Sequence, residues 1–237
     1  MEKRLNWIEE MTPKGLEILV AVGLGKSKKG LIEYLPIELA PEPVKGQHSL
    51  FIDCVWVLSR YSKTGIGRGL MQHFLKEARK VGGATVLAYE GDKWFGYFDY
   101  MPAKFFRRFG FEEVSRDETR LLLHRDLGSH QLPRLLTPKI RRVDEKGKTV
   151  LDVFCNRQCP WCGWMVDNIM RNAKRSGVRV NVINTDNRGT IEKFGIARGI
   201  AIKGEPVIKR MATWKEIKSA LDRFKTEHRE LIAANSL

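Results

Sequence analysis

Apolar runs long enough to cross a membrane are missing from this sequence, where none approaches the roughly 18 to 20 residues of a spanning helix. The start, Met1-Glu2-Lys3-Arg4-Leu5-Asn6-Trp7, carries charges where a secretory leader carries an apolar core, so a cytoplasmic protein with no membrane partner is expected. Cysteine is scarce too: four in 237 residues do not make a disulfide framework in an intracellular chain. Acids are short in one part only. Residues 128–237 hold 22 Lys+Arg against 11 Asp+Glu and residues 1–127 hold 20 against 17, so the formal charge of +14 lies mostly in the C-terminal part. No basic run interleaved with aromatics, zinc knuckle or helix-turn-helix signature accompanies that charge. A solvated basic surface is therefore the expectation, and nucleic acid is not expected as a partner. No motif specifies an oligomeric state.

What the sequence does have is a strand, a glycine turn and a helix between Ser49 and Gly83. Leu50-Phe51-Ile52-Asp53-Cys54-Val55-Trp56-Val57-Leu58 is an apolar run rich in β-branched and aromatic residues, read as a strand buried on both faces. Ser62-Lys63-Thr64-Gly65-Ile66-Gly67-Arg68-Gly69 follows, and then Leu70, Phe74, Leu75, Ala78 and Val81 recur at helical spacing up to Gly82-Gly83. The first amides of a helix have no intrahelical partners and sit at the positive end of its dipole, and glycines let an anion approach closely. The turn lacks the lysine followed by Ser or Thr of a Walker loop, and it lacks the dinucleotide-binding spacing. Taken alone it is weak evidence, since a bare strand-to-helix turn with glycines is more often purely structural.

The flanking chain predicts a short amphipathic helix over 2–11, strands over Leu16–Val22 and Leu31–Leu39 joined by a glycine-rich turn, and a breaking segment at Pro41, Pro43 and Gly46. After the central helix come a strand over Ala84–Tyr89 and an aromatic loop with Trp94, Phe95, Tyr97, Phe98 and Tyr100. A helix opened by Pro102 with Phe105, Phe106 and Phe109 on one side is next, then strands at Phe111–Val114 and Arg120–His124.

The central strand, the turn Gly65-Ile66-Gly67, the helix after it and Ala103-Lys104-Phe105-Phe106-Arg107-Arg108-Phe109-Gly110-Phe111 together resemble the GNAT N-acetyltransferases over about residues 14–125. That family's pyrophosphate loop reads Gln/Arg-x-x-Gly-x-Gly/Ala and its late helix Phe-Tyr-x-x-x-Gly-Phe. The resemblance implies acetyl-CoA as cofactor, with Lys63, Thr64, Gly65, Ile66, Gly67, Arg68 and Gly69 cradling the pyrophosphate and Val57 and Leu58 pairing with the pantetheine arm. It implies a small-molecule or peptide amine as acceptor. Deprotonating that amine requires a base, for which Asp53 and Glu90 are the first candidates and Asp92 the third. Ser62 stands where the family's loop has Gln or Arg, Asp99 where many members have asparagine, and Phe106 where they have the tyrosine that protonates the leaving thiolate. A phenyl ring donates no proton, which leaves that role to Tyr100 or water.

Residues 129–147, with Pro133, Pro138, Gly147 and Lys139-Ile140-Arg141-Arg142, read as a linker. From 148 a strand to Phe154 leads into Cys155-Asn156-Arg157-Gln158-Cys159-Pro160-Trp161-Cys162. A helix to about Ser176, a strand at Val178–Ile183, a short helix near Thr190–Phe194, strands at Ile200–Ile202 and Val207–Ile208 and a helix from Thr213 complete the chain. This resembles the thioredoxin-like fold, with Cys159 and Cys162 as the redox pair: Cys159 at a helix start, Pro160 at the first helical position and Cys162 one turn on suit a thiolate and its resolving partner. Ala197-Arg198-Gly199 falls where thioredoxins place a cis-proline. Cys155-x-x-x-Cys159-x-x-Cys162 is also the cluster spacing of radical S-adenosylmethionine enzymes, but the 75 residues after Cys162 are too few for their partial barrel. Inert cysteines, and metal binding with a fourth ligand from elsewhere, stay open; no metal site is assigned.

A GNAT domain (1–128) followed by a thioredoxin-like domain (148–237) resembles the YoaP-like acetyltransferases. The expected fold class is α/β: a GNAT acyl-CoA N-acyltransferase fold with a small thioredoxin-like α/β domain appended. The expected function is acetyl transfer to an amine. The alternative is a thiol-disulfide or metal-binding protein whose first domain only binds CoA or a partner.

Overall fold

A computed structural model of the chain describes residues 2–91, 93–138 and 150–234, with side chains as far as 226. Residues 139–147 of the expected linker lie outside these residues, as does the candidate Asp92, while its first part, 129–138, is described and carries a short strand, Arg134–Leu135. The chain divides into two compact units, one made of Glu2–Asp92 and Asp99–Thr137, the other of Lys93–Phe98 and Pro138–Leu237.

The first unit runs α1 (Glu2–Met11), β1 (Glu17–Val22), β2 (Lys28–Pro36), β3 (Val44–Lys45), β4 (Leu50–Val57), α2 (Ile66–Val81), β5 (Gly83–Tyr89), α3 (Ala103–Arg107), β6 (Glu112–Asp117), β7 (Arg120–Asp126) and β8 (Arg134–Leu135). Six strands form one sheet in the order β1-β2-β4-β5-β7-β6, and β3 pairs with β8. Within the six, only β4 and β5 run parallel, because only there does a helix, α2, carry the chain across between neighbouring strands. α2 buries Leu70, Met71, Phe74 and Ala78, one stripe at helical spacing, and stops where Gly82 turns left-handed (φ 109°) and its N–H bonds Ala78 O. Phe74 meets Tyr34 edge-on with ring centres 5.2 Å apart. A second apolar cluster gathers Trp7 of α1 with Leu35, Ile37, Phe51, Leu87 and Leu122. With helices on it, β5 is buried along its whole length, its one polar residue, Thr85, bonded to Ser49 at 2.7 Å and His124 at 2.9 Å.

Several boundaries differ from the sequence pattern, among them the start of β2 at Lys28 and the end of β6 at Asp117, and two have a visible local basis. β2 ends at Pro36 and passes into a 3-10 turn, Ile37–Leu39, since proline has no N–H with which to continue the ladder. α3 stops at Arg107, and Phe109 lies in the turn after it, bonding Phe106 O at 2.8 Å.

The register of β2 against β4 shifts between Glu33, opposite Cys54, and Tyr34, opposite Ile52, which leaves Asp53 as the extra residue of a β-bulge. Bulges increase local twist and bend the strand. β4 and β5 pair only through Leu50/Ala84, Phe51/Thr85 and Ile52/Val86. Their pairing ends at the residue before the bulge, and β4 continues to Val57 apart from β5.

The second unit contains β9 (Val150–Cys155), α4 (Pro160–Arg175), β10 (Arg179–Asn184), α5 (Arg188–Phe194), β11 (Gly199–Ile202), β12 (Glu205–Ile208) and α6 (Trp214–Ala234). Its sheet order is β10-β9-β11-β12, with β9 and β10 parallel and β11 antiparallel to both its neighbours. Met165, Ile169 and Ala173 form the buried stripe of α4, and Phe154, Ile196 and Ala201 pack together. Lys93–Phe98, between β5 and α3 in sequence, belongs to this unit: Phe95 N–H reaches Met211 O at 3.4 Å, and its ring meets Trp164 at 5.4 Å and Trp161 at 6.2 Å.

Candidate functional site

After β4 the chain makes a 3-10 turn at Ser59–Tyr61, and the Thr64 hydroxyl donates to Tyr61 O at 2.7 Å. Lys63 (φ 63°) and Gly65 (φ 87°) are both left-handed. Glycine takes that conformation without strain, while lysine there costs roughly 1 kcal/mol. The first helical bond of α2 is Gly69 N–H to Gly65 O at 3.0 Å, so Ile66, Gly67 and Arg68 supply the helix's unbonded N-terminal amides. No acid occupies the first turn. A side chain at Gly65 or Gly69 would meet nothing within 4 Å, leaving open space for a ligand beside the amides, whereas a Cβ at Gly67 would meet the Phe105 ring at 3.3 Å and Val57 Cγ2 at 3.8 Å. Gly67 is therefore the contact between α2 and α3, and the open approach lies at the other two glycines. These features fit an anionic cofactor.

Beyond the bulge, alternate residues of β4 turn their main chains away from β2. Leu58 N–H bonds Lys29 O at 2.9 Å, so of the two residues expected to pair with pantetheine only Val57 faces the opened side. Val55 N–H, facing the same way, reaches Met101 Sδ at 3.3 Å. Tyr100 and Met101 thus lie in the opening: Tyr89 N–H bonds Met101 O at 3.0 Å, and the Tyr100 hydroxyl donates to Asp53 O at 3.5 Å.

The candidate bases separate clearly. Asp53 is 3% exposed and sits at the bulge, where the opening begins. Glu90 lies on the surface and accepts from Arg107 at 2.8 Å and Arg116 at 3.1 Å. These two guanidiniums hold its carboxyl below the usual range, so Glu90 is a poorly suited proton acceptor, and the structure does not bring it together with Asp53. Phe106 is fully buried against Phe105 and Phe111, at 5.2 and 5.9 Å, and Asp99 is exposed.

Arg4 and Glu33 are the residues sequence reasoning missed. Glu33, 2% exposed on β2, pairs with Arg4 from α1. Burial would lower the Arg4 pKa, but Glu33, then Asp53 and Cys54, more than offset it and raise it. The signal was a lone acid inside the apolar run Leu31-Ile32-Glu33-Tyr34-Leu35.

In the second unit Cys159 caps α4 with extended backbone, Pro160 opens the helix, and Cys162 N–H bonds Cys159 O at 3.0 Å. None of the four thiols is in a disulfide. Cys162 is 0% and Cys159 8% exposed, while Cys155 at the end of β9 is half-buried. Burial, then the hydrogen bond and charge of Cys155 and the charge of Cys159, push the Cys162 thiol well up. Arg198 is buried where a cis-proline was sought, and it donates to Gln158 Oε1 at 2.7 Å and Asn156 Oδ1 at 3.3 Å. Among the described residues there is no cis peptide and no grouping of three His, Cys, Asp or Glu placed to hold a metal ion.

Residues 6–111 match the family model of the acetyltransferase (GNAT) family. A Bacillus subtilis (strain 168) protein described as uncharacterized N-acetyltransferase YoaP is 24% identical over 196 residues, 81% of this chain and 75% of its own. Among solved structures, PaiA N-acetyltransferase from Thermoplasma acidophilum with coenzyme A is 17% identical with a TM-score of 0.40, covering 53% of this chain and 70% of that one. The Escherichia coli GNAT protein YhbS with CoA is 15% identical with a TM-score of 0.38, covering 54% and 68%.

Proposed function

We propose that this chain is an acetyl-CoA-dependent acetyltransferase of the GNAT family, and that it acetylates a small-molecule or peptide amine held beside Asp53 where β4 leaves β5. The observation that carries this reading is the end of β4–β5 pairing at Ile52/Val86, next to the bulge at Asp53. Acetyl-CoA supplies the activated thioester. In this reading the amides from Lys63 to Arg68 bind its pyrophosphate, the Gly69 N–H being taken by Gly65 O, and Gly65 and Gly69 leave the approach open. Val57 offers its main chain to the pantetheine arm, while Leu58 is engaged elsewhere, its N–H with Lys29 O and its carbonyl with Tyr61 N–H at 2.8 Å. Asp53 accepts the proton of the attacking ammonium. Tyr100, whose hydroxyl lies within reach of Asp53 O, donates a proton toward the leaving sulfur, a role closed to Phe106. Acetyl-CoA is an intracellular metabolite, so the same reading places the protein in the cytoplasm; no described helix is long and apolar enough to cross a membrane.

The test is thiol release from acetyl-CoA across a panel of primary amines. Asp53→Asn should lower turnover about 100-fold or more while leaving acetyl-CoA affinity unchanged. Glu90→Gln should leave turnover within about two-fold, since its carboxylate serves an exposed ion-pair network. The reverse pattern would move the base to Glu90.

For the second unit we propose a thioredoxin-like fold with a redox-capable Cys159/Cys162 pair. Support comes from the sheet order, with a parallel β9/β10 pair followed by the antiparallel β11 and β12, and from Cys159 at the start of α4. The buried Arg198 is its departure from that fold's usual pattern.

A further inference from the structure

Glu33 is a buried carboxylate whose hydrogen bonding is only half met. Its Oε1 accepts from Arg4 of α1, while Oε2 is buried and accepts no hydrogen bond among the described residues. An acceptor left unmade in that way is costly, the more so on a charged group. The sheet brings this carboxylate to Asp53. Leu35 is opposite Phe51 and both pack with Trp7 of α1, so alternation puts Glu33 and Asp53, each two residues away along its own strand, on that same face. Glu33 pairs with Cys54 and Asp53 is the extra residue beside it, so two residues of β4 oppose one of β2. Arg4 feels both acids: burial alone would lower its pKa, but the charge and hydrogen bond of Glu33 and the charge of Asp53 raise it. Two carboxylates around one guanidinium leave one negative charge over.

We propose that Glu33 is a second carboxylate of the acceptor site, that its Oε2 accepts from the substrate ammonium held beside Asp53, and that the acceptor is an alkylamine with no carboxylate on the carbon bearing its nitrogen. The inference rests on the reading of Asp53 as base and gives that reading a substrate class. An alkylammonium carries N–H donors and one positive charge, so it meets both deficits at once. It fills Oε2 with a charge-assisted hydrogen bond and cancels the charge left over. Asp53 takes one of its protons, and a second N–H held by Glu33 fixes the direction of the lone pair thereby freed for the thioester. An α-amino acid would bring its own carboxylate beside the other two, where burial makes like charges repel strongly. Glu33 makes its contact with the bound substrate as well as with the transition state, so its loss raises KM rather than lowering kcat.

The test is steady-state thiol release by the full-length chain at saturating acetyl-CoA, with amines matched to their α-carboxylated counterparts: tyramine with tyrosine, and butylamine with norvaline. Each amine should exceed its amino acid in kcat/KM by about 30-fold or more. Glu33→Gln should raise the KM for tyramine about ten-fold or more while kcat stays within about three-fold. Arg4→Met/Glu33→Met replaces both partners of the buried pair with apolar side chains, an exchange that such pairs tolerate, and it should raise that KM by a similar factor. A KM in the double variant equal to that of the natural protein would confine Glu33 to the fold and overturn the inference. Equal use of tyramine and tyrosine by the natural protein would overturn it too, and so would transfer to neither amine. The Asp53 reading fails separately, if Asp53→Asn turns over tyramine as fast as the natural protein.

Discussion

Replacing Arg4 with methionine should destabilise the N-terminal unit by about 3 kcal/mol, the low end of the range for breaking a buried ion pair from one side. The magnitude follows from the asymmetry of the pair: the Glu33 side chain is 2% exposed and that of Arg4 16%, so the carboxylate left behind cannot recover its lost partner in water. Methionine keeps much of the apolar stem that packs beside Trp7, so the loss is chiefly electrostatic, with a smaller share from the guanidinium lying 5.8 Å from the Trp7 ring. Urea unfolding read by hydrogen exchange at the β2 amides isolates this unit from the other. The companion variant Arg4→Met/Glu33→Gln removes the stranded charge and should recover at least about half of the loss. A penalty below about 1 kcal/mol for the single variant would mean that Glu33 is solvated like a surface carboxylate.

Other expectations concern the same unit. Gly69→Ala should raise its stability by roughly 0.5 to 1 kcal/mol, because Gly69 is helical, exposed and has open space where the methyl would go; a loss measured by the same unfolding assay would contradict that placement. Gly67→Leu should cost about 1 to 3 kcal/mol by crowding Phe105 and Val57, and should weaken acetyl-CoA binding by tilting the start of α2; unchanged affinity would detach this turn from the cofactor. His124 is held neutral chiefly by burial, partly opposed by the Asp126 charge and a backbone bond with Ala84, so its pKa is lowered on folding. Its contribution to stability is full above the unfolded value of about 6.5 and is lost as pH falls through the folded value. Melting should therefore drop as pH falls below about 6.5, less so in His124→Gln, and parallel curves for the two proteins would refute it.

How far the sequence could be read depended on how local the signal was. β4, the glycine turn and α2 are written in adjacent residues, through an apolar run, a left-handed glycine and a helical stripe ending at Gly82, and each is found where its pattern places it. Gly65-Ile66-Gly67 did not reveal which glycine is open, because that depends on Phe105, nearly forty residues away. Asp53 could be nominated from its strand, but the bulge that gives it its position is a property of pairing with Glu33 and Tyr34 across the sheet. Glu90 looked equally eligible in sequence, and only the arrival of Arg107 and Arg116 shows its carboxylate to be engaged. The aromatic residues Trp94–Phe98 carry no local mark of the unit they join. Their partners Trp161, Trp164, Arg198 and Met211 come from chain more than sixty residues later.

Calorimetric titration of the freshly reduced full-length chain with acetyl-CoA tests the central claim most directly, since cofactor binding at the opening of β4 and β5 needs no knowledge of the acceptor. The account predicts saturable binding at one site per chain with micromolar affinity, about 8 kcal/mol. A flat titration at millimolar acetyl-CoA would contradict it and reduce the glycine turn to a structural connection.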